Sequence, residues 1–278
     1  MPQPFLDPIS PERFRCDLVS EILSFETPCG TGLMTHPSVV KAPSQDGQDG
    51  FWLVGTPYDG LDNTIENPCV YFSRDGSKWD IPRGGKNPIV PSPEGAPYNS
   101  DPHLEWVNGI FHLWYRRTDD GYDTILHTES IDGVSWTDFD TAVQVPQAAE
   151  RVLSPSIVKF RGKWRMYTVK FVRPTNQKVI QYRESLSLRG PWGPAIDCAA
   201  PMINGRLPWH IDVAECGNGL VMLICDSTSN KGGDLFVSTS TDGHRFRVAL
   251  EPVISKVTPY GALGTSGRGD ARGVRSAG

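Results

Sequence analysis

A repeat of about 55 residues is the feature that most constrains what this chain can fold into. Three copies end in the pattern Ser-x-Asp-Gly-x-x-aromatic, beginning at Ser73, Ser130 and Ser240, and a degenerate copy begins at Ser185. Taken in chain order, these four serines lie 57, 55 and 55 residues apart. A repeat of this length that contains only strand-like segments is typical of the blades of a β-propeller.

Each repeat consists of short strands in the same order. The first segment is built around a proline in three copies, at Pro37, Pro102 and Pro155, and the fourth copy has His210 near the matching place without a proline. A second strand rich in aromatic and β-branched residues follows, and a third strand leads into the Asp-Gly turn, a strong hairpin signal. With 28 Gly, 24 Pro and no long stretch of helical periodicity, the chain is predicted to be all-β.

The length of the repeat also predicts the domain organisation. We expect a five-bladed β-propeller with four clear blades of about 55 residues and an incomplete or irregular last blade, and a complete four-bladed ring is the alternative. Blades one to four occupy residues 35–255. Residues 1–34 form an N-terminal segment, whose strand at residues 17–23 is expected to close the last blade and so remove a free edge. The Gly- and Arg-rich tail at residues 256–278 is expected to be disordered.

Composition narrows the partners and the compartment. A net charge of −5 without a long basic run argues against nucleic acid, and no apolar segment approaches the length that spans a bilayer. The N-terminus lacks the pattern of a secretory signal, so the cytoplasm is the default expectation, with an extracellular or virion-associated location also possible. The sequence predicts no oligomeric state.

The six cysteines are spread without a Cys-x-x-Cys pair. This spacing favours buried free thiols. A disulfide between Cys216 and Cys225 and a zinc site are the alternatives, because pairing cannot be read from spacing alone.

The first strands of propeller blades line the central channel, so equivalent residues converge at its mouth although they lie far apart in sequence. Alignment on the proline-centred segment gives a first level of His36, Asp101, Ser154 and His210. Two residues further, on the same strand face, the second level is Ser38, His103, Ser156 and Asp212. Polar groups at a partly buried mouth need partners, and a hydroxyl-rich ligand such as a carbohydrate supplies them. Alternatively, these groups bond to one another and to channel carbonyls.

Further polar residues follow the second and third strands or precede the first and could reach the same mouth. They are Tyr58, Glu66, Asn99, Arg116, Lys170 and Asp226. For each of them a solvated loop position is the alternative. By contrast, Asp75, Asp132 and Asp242 are expected to cap the backbone of their own hairpin turns.

The order of proline-headed strand, aromatic second strand and Ser-x-Asp-Gly-x-x-Trp turn resembles the five-bladed propeller glycoside hydrolases over residues 30–255. The similar types are the arabinanases and xylosidases of family 43 and the invertases and fructanases of family 32. The resemblance implies three carboxylates on the first three blades. Asp101 matches the second of them, whereas His36 stands at the first place and Leu153 and Ser154 stand at the third.

The resemblance leads us to predict a glycoside hydrolase that cleaves a poly- or oligosaccharide by carboxylate acid/base chemistry. Asp101 and Asp212 are the preferred catalytic pair, with one of them or Glu66 as the acid. The predicted substrate-binding residues are His36, Tyr58, Asn99, His103, Arg116, Ser154, Lys170, His210 and Asp226. Among these, His36, His103 and His210 are expected to form hydrogen bonds or to handle protons.

This chemistry needs no cofactor. A metal held in the channel by histidine and aspartate is an alternative, but no spacing in the sequence demands it. The missing carboxylates favour an alternative function, a carbohydrate-binding propeller without catalysis. Such a module could serve as an adhesin or as the receptor-binding part of a virus tail, holding a sugar by hydroxyl hydrogen bonds and stacking on aromatic rings.

Overall fold

Four antiparallel sheets, each built from consecutive strands, form the described part of the chain. This computed structural model describes residues 10–14, 23–58, 62–92, 98–119, 121–173, 175–200, 202, 205–227 and 233–255. The first strands of the four sheets neighbour one another in chain order, as the inner strands of propeller blades do. The all-β propeller prediction is therefore confirmed with four blades, and the described residues show no fifth.

The blades have the following strands. Blade one contains β1 (Met34–Pro43), β2 (Asp49–Pro57) and β3 (Cys69–Ser73). Blade two contains β4 (Tyr98–Val107), β5 (Ile110–Asp119), β6 (Tyr122–Ser130) and β7 (Asp140–Pro146). Blade three contains β8 (Glu150–Phe160), β9 (Lys163–Val172), β10 (Gln177–Ser185) and β11 (Ile196–Asp197). Blade four contains β12 (Pro208–Cys216), β13 (Gly219–Asp226), β14 (Leu235–Ser240) and β15 (Arg247–Val248).

Helical structure among the described residues consists of the 3₁₀ turns Pro11–Arg13 and Asn63–Ile65, with Gly205 also in 3₁₀ conformation. Within that part of the chain, no helix has the length and apolar character needed to cross a membrane.

The Ser-x-Asp-Gly turns of blades two and four pack against the preceding blade. In blade two the carboxylate of Asp132 accepts hydrogen bonds from two following backbone N–H groups at 2.7 and 2.8 Å, as predicted for a turn residue. A Cβ atom at Gly133 would lie 2.2 Å from the ring of Trp52 in blade one. A Cβ atom at Gly243 of blade four would likewise lie 2.1 Å from Arg165 of blade three. Each of these glycines therefore lets its turn lie directly on the second strand of the preceding blade. The other two turn aspartates, Asp75 and Asp242, accept the same kind of bond.

Apolar and aromatic side chains fill the space between consecutive blades. The ring centroids of Trp52 and Phe111 lie 4.7 Å apart between blades one and two. Between blades three and four, Tyr167 meets Phe246 edge-on with centroids 5.9 Å apart. The faces of the strands that carry these residues therefore form the core, and the polar ends of the inner strands are left for the channel.

The cysteines in the described residues are free thiols, in agreement with the favoured prediction. They are Cys29, Cys69, Cys198, Cys216 and Cys225. The alternative disulfide between Cys216 and Cys225 does not form.

The N-terminal segment touches both the last and the first blade. The carboxylate of Glu12 pairs with Arg247 of blade four at 2.9 Å. Further along, the ring of Phe25 packs 5.1 Å from that of Tyr71 in blade one. The predicted closing strand at residues 17–23 lies, except for its last residue, outside the described residues, as does the tail at residues 256–278.

Candidate functional site

The inner strands carry a bulge at one level, and the bulge sets the direction of the candidate site residues. In blades one to three the strand register shifts at this level. The bulged residues are His36, Asp101 and Ser154, with φ angles of 53°, 51° and 49°. These angles are left-handed and uncommon for residues with side chains. Each bulged residue precedes a proline, which has no N–H to contribute to the ladder. In blade four the shift falls one residue earlier, and His210 pairs with Cys225.

The four residues of the predicted first level lie together. The Nε2 atoms of His36 and His210 are 3.1 Å apart. Oδ1 of Asp101 lies 3.3 Å from Nε2 of His36 and 3.8 Å from Nδ1 of His210. The hydroxyl of Ser154 contacts Nδ1 of His210 at 2.6 Å. Blades one to four thus each contribute one side chain to a single cluster.

Asp101 is a buried, ionised carboxylate. Its Oδ2 lies 3.3 Å from Nε of Arg116 and accepts a hydrogen bond from the backbone N–H of Ser154 at 3.1 Å. Burial by itself would raise the pKa of Asp101, but Arg116 and the two histidines hold it well below its usual range. Its buried Oδ1 has no hydrogen bond within the described residues and faces the histidines. Asp101 therefore offers a negative oxygen to a cation and cannot serve as an acid.

Glu66 provides the opposite kind of carboxyl group. It directly follows the 3₁₀ turn Asn63–Ile65, is buried, and places Oε2 4.0 Å from Nδ1 of His36. Burial, with a further contribution from the charge of Asp101, raises the pKa of Glu66 to about 8. Glu66 is therefore protonated at neutral pH and can donate a proton.

The two histidines are neutral and fit a metal. Burial lowers the pKa of His36, and it lowers that of His210 well below the usual range, where Asp101 only partly offsets the effect. Ligand atoms of His36, Asp101 and His210 all lie within 4.8 Å of one another. Two neutral imidazoles and one carboxylate are donors typical of divalent transition metals. The sequence predicts His36, Asp101 and His210 at one level of the channel and leaves a metal there as an alternative, but no spacing in the sequence demands one.

The second level is separate from this cluster. The carboxylate of Asp212 accepts a hydrogen bond from the hydroxyl of Ser156 at 3.1 Å and lies 3.8 Å from Nδ1 of His103, with its side chain 53 % exposed. His103 is buried, which lowers its pKa, but the bond to Glu105 raises it to a net value above the usual one. Asp101 and Asp212, the predicted catalytic pair, thus face different partners on two levels.

The remaining predicted binding residues have other surroundings. Asn99 is fully buried and donates to a neighbouring asparagine side chain. Lys170 forms an ion pair with Asp197 at 2.7 Å. Asp226 binds a guanidinium group at 2.6 Å and two backbone N–H groups of its own loop. Tyr58 directly follows β2. Apart from Tyr58, these polar residues hold strand ends and loops in place.

No family model matches the chain. A curated relative, the A type blood N-acetyl-alpha-D-galactosamine deacetylase of Flavonifractor plautii, is 31 % identical over 110 residues. That match covers 37 % of this chain and 14 % of the relative, so the chain matches only a small part of that protein's length.

Solved structures are similar over most of the chain. An N-acetylgalactosamine deacetylase from F. plautii, in complex with blood group B trisaccharide, has a TM-score of 0.72 and 22 % identity, covering 87 % of this chain and 74 % of that one. The Penicillium chrysogenum α-L-arabinanase has a TM-score of 0.56 and 19 % identity, covering 79 % and 65 %. A family 43 endo-arabinanase from Bacillus licheniformis has a TM-score of 0.57 and 16 % identity, and the match covers 79 % of this chain and 76 % of that one.

These likenesses confirm the propeller fold. They include members of family 43, one of the two types that the sequence resembles. The resemblance to family 32 and the fifth blade stay predictions.

Proposed function

We propose that this chain is a carbohydrate-active hydrolase that removes the acetyl group from an N-acetylated amino sugar, with a divalent cation at the channel mouth. The observation that carries the proposal is the grouping of His36, Asp101 and His210, whose ligand atoms lie within 4.8 Å of one another. One of these atoms, Oδ1 of Asp101, has no hydrogen bond from any described residue. The partial sequence match to a deacetylase of an N-acetylated sugar supports the choice of substrate.

Different residues bind the cation and donate the proton. His36, Asp101 and His210 would hold a divalent cation, which would supply Lewis-acid polarisation of a carbonyl and would lower the pKa of water. Arg116 keeps Asp101 ionised, and Ser154 orients the ring of His210 through Nδ1.

Deacetylation joins the oxygen of water to the acetyl carbon and breaks the carbon–nitrogen bond, which leaves acetate and a free amine. The departing nitrogen needs a proton. Glu66, which is protonated at neutral pH and adjoins the cluster through His36, is the group that we assign to this step.

The test is acetate release from oligosaccharides that carry N-acetylated amino sugars, measured with added Zn²⁺, Mn²⁺ or Co²⁺ and with a chelator. We expect Asp101→Asn to lower the rate by at least about 100-fold. Mutation of a residue that only hydrogen-bonds to a metal ligand already costs up to about 100-fold, and Asp101 is proposed as a ligand itself. We expect Glu66→Gln to lower it by about 10²–10⁴-fold, the usual contribution of a general acid.

Asp212→Asn is the discriminating variant. It should keep acetate release within a factor of a few, because Asp212 lies on the second level with Ser156 and His103. Loss of acetate release in Asp212→Asn, with activity retained in the presence of chelator, would contradict the proposal.

A second candidate is cleavage of a glycosidic bond in a poly- or oligosaccharide without a metal. One observation favours it: the pKa of Glu66 is raised and that of Asp101 is lowered, as in the acid and the base or nucleophile of glycosidases. New reducing ends without acetate, still formed in chelator, would support this function. Sugar binding with neither product would support the carbohydrate-binding propeller.

A further inference from the structure

Blade two contains a second cluster of metal-ligating side chains, away from the channel mouth. His112 lies on β5, and His127 and Glu129 lie on β6, with all three side chains buried. Nδ1 of His112 is 3.2 Å from Nε2 of His127 and 3.2 Å from Oε1 of Glu129. Nε2 of His127 is 3.9 Å from the same carboxylate oxygen. One ligand atom from each side chain therefore lies within 3.9 Å of the other two.

These separations match those of a tetrahedral metal site. Two ligand atoms bound tetrahedrally at about 2.0–2.1 Å from zinc lie roughly 3.3–3.4 Å from each other. The three observed separations of 3.2, 3.2 and 3.9 Å lie near that value, so little movement is needed to place an ion between them.

The protonation states also suit a metal. Burial lowers the pKa of His112 and lowers that of His127 to about 4, so both imidazoles are neutral at pH 7. The hydrogen bond from Arg189 lowers the pKa of Glu129, so this carboxylate is ionised. Metal ligands must be deprotonated, and these three groups meet that condition before any ion binds.

The other blades show that the fold does not require this cluster. The strand pairing defines the same three positions in every blade. They hold Trp52, Val70 and Phe72 in blade one, Arg165, Tyr182 and Glu184 in blade three, and Val221, Val237 and Thr239 in blade four. In blade three an Arg165–Glu184 ion pair at 3.0 Å satisfies the carboxylate. Of the four described blades, only blade two has two histidines and a carboxylate at these three positions.

The turn that covers this position also departs from the repeat. In blades two and four the glycine of an Asp-Gly turn packs against the preceding blade. Blade three instead has the degenerate turn that begins at Ser185. From this turn Arg189 reaches Glu129, donating from Nε to Oε1 at 2.7 Å and from Nη2 to Oε2. The side chain of Arg189 is 63 % exposed, so it can swing aside without disturbing the core.

We propose that His112, His127 and Glu129 form a second, structural site for a divalent transition metal, with Zn²⁺ as the best fit, beneath the blade-three turn. The ion takes its ligands from two adjacent strands and stabilises the folded blade. Arg189 is the competing cation, which holds Glu129 when no metal is bound. This site is separate from the one proposed at the channel mouth and does not depend on it.

The test is a Zn²⁺ titration of metal-free protein against a chromophoric chelator, using wild type, His210→Gln, His127→Gln and the double variant. We expect two equivalents for wild type, one for each single variant and none for the double variant. A His127→Gln protein that still binds as much zinc as wild type overturns the inference. Failure of the channel-mouth site gives a different result: His210→Gln keeps one equivalent and His127→Gln keeps none.

A second variant guards against misfolding of His127→Gln. In the His210→Gln background, Arg189→Ala removes an exposed side chain and leaves all three ligands intact. We expect zinc to bind at least about fivefold more tightly, the factor that two unit charges 4 Å apart produce even in bulk water. Affinity that is unchanged or weaker contradicts the inference. With Co²⁺ in place of Zn²⁺, absorption bands of tetrahedral cobalt should appear in this background and be absent from the His127→Gln/His210→Gln protein.

Discussion

At the scale of single residues, the site depends on backbone geometry that side chains normally avoid. His36, Asp101 and Ser154 all have φ near 50°, and each such residue costs roughly 1–3 kcal/mol. The bulge turns these side chains into the channel, where they meet His210. Three of the six described non-glycine residues with positive φ therefore belong to the candidate site, and the other three, Asn108, Arg161 and Asn176, lie in turns between paired strands.

Glu66 gives a pH-dependent stability with a defined sign. Its pKa is about 8 in the folded protein, against 4.5 for an ordinary glutamate, so the folded state holds the proton more tightly than the unfolded state. The free energy of unfolding of metal-free protein should therefore fall as the pH rises from about 4.5 to 8. Glu66→Gln removes this loss. The variant should gain stability relative to wild type, by up to several kcal/mol at pH 9, since one pH unit corresponds to about 1.4 kcal/mol.

Urea unfolding of both proteins in chelator at pH 5, 7 and 9 measures this difference. The low pKa of Asp101 affects both proteins alike and acts at more acidic pH. A stability difference that stays constant across the three pH values would show that Glu66 is not protonated at neutral pH.

The same proton predicts the pH dependence of activity. If protonated Glu66 donates to the leaving nitrogen, acetate release should decline as the pH rises through the pKa of Glu66, which is about 8 in the metal-free protein and is lowered by a bound cation. The measurement is the rate at saturating substrate between pH 6 and 10. The residual rate of Glu66→Gln, which cannot titrate, should lack this decline.

At the scale of single elements, the Asp-Gly turns of blades two and four pack against the preceding blade. Gly133 has a φ of 73° and lies so close to Trp52 that no side chain fits between them. In blade one the matching Gly76 has a φ of 80°, but no described atom lies within 4 Å of a Cβ built there. Both glycines meet the same backbone requirement, and only Gly133 also meets a steric one.

This pair gives a matched experiment. Gly133→Ala should destabilise the protein by about 2–4 kcal/mol, because left-handed strain and overpacking against Trp52 add together. Gly76→Ala should cost about 1–2 kcal/mol from strain alone. Denaturant unfolding of both variants measures the difference. Equal losses would mean that the turn in blade two does not press on blade one in solution.

The sequence predicts the elements better than the site. Ser-x-Asp-Gly turns and prolines mark strand ends directly, so the four blades and the first level of channel residues follow from their spacing. The burial of Glu66 and the contact between the side chains of His112 and His127 depend on strand register and on the packing of distant loops. Neither leaves a local pattern in the sequence, so the cluster in blade two is not predicted. At the channel mouth the residues are predicted together, and a metal there is only an alternative.

At the scale of the whole molecule, the candidate cation site connects blades that are distant in sequence. His36 belongs to blade one, Asp101 to blade two and His210 to blade four, and the two histidines are 174 residues apart along the chain. An ion bound by all three is therefore a link between the first and last blades. Because such a site exists only in the folded chain, the binding free energy adds to folding stability.

Metal removal should accordingly lower the thermal stability of the whole domain. At a metal concentration 100 times the Kd, one site adds about 2.7 kcal/mol. We expect His127→Gln protein, which keeps only the channel-mouth site, to unfold at a higher temperature with Zn²⁺ than with chelator. Asp101→Asn in the same background should show no such shift, and calorimetry of the two proteins makes the comparison. A shift that persists in the Asp101→Asn protein would assign the metal to other residues.

The contacts of the N-terminal segment also determine the order in which the molecule can be completed during synthesis. Phe25 meets Tyr71 of blade one, and this contact can form soon after the ribosome has released the first blade. Glu12 meets Arg247, a partner 235 residues further along the chain. At 5–20 residues per second, roughly ten seconds or more separate the emergence of these two residues. Glu12 therefore reaches its final position only when the fourth blade has been made, although it precedes all four blades along the chain.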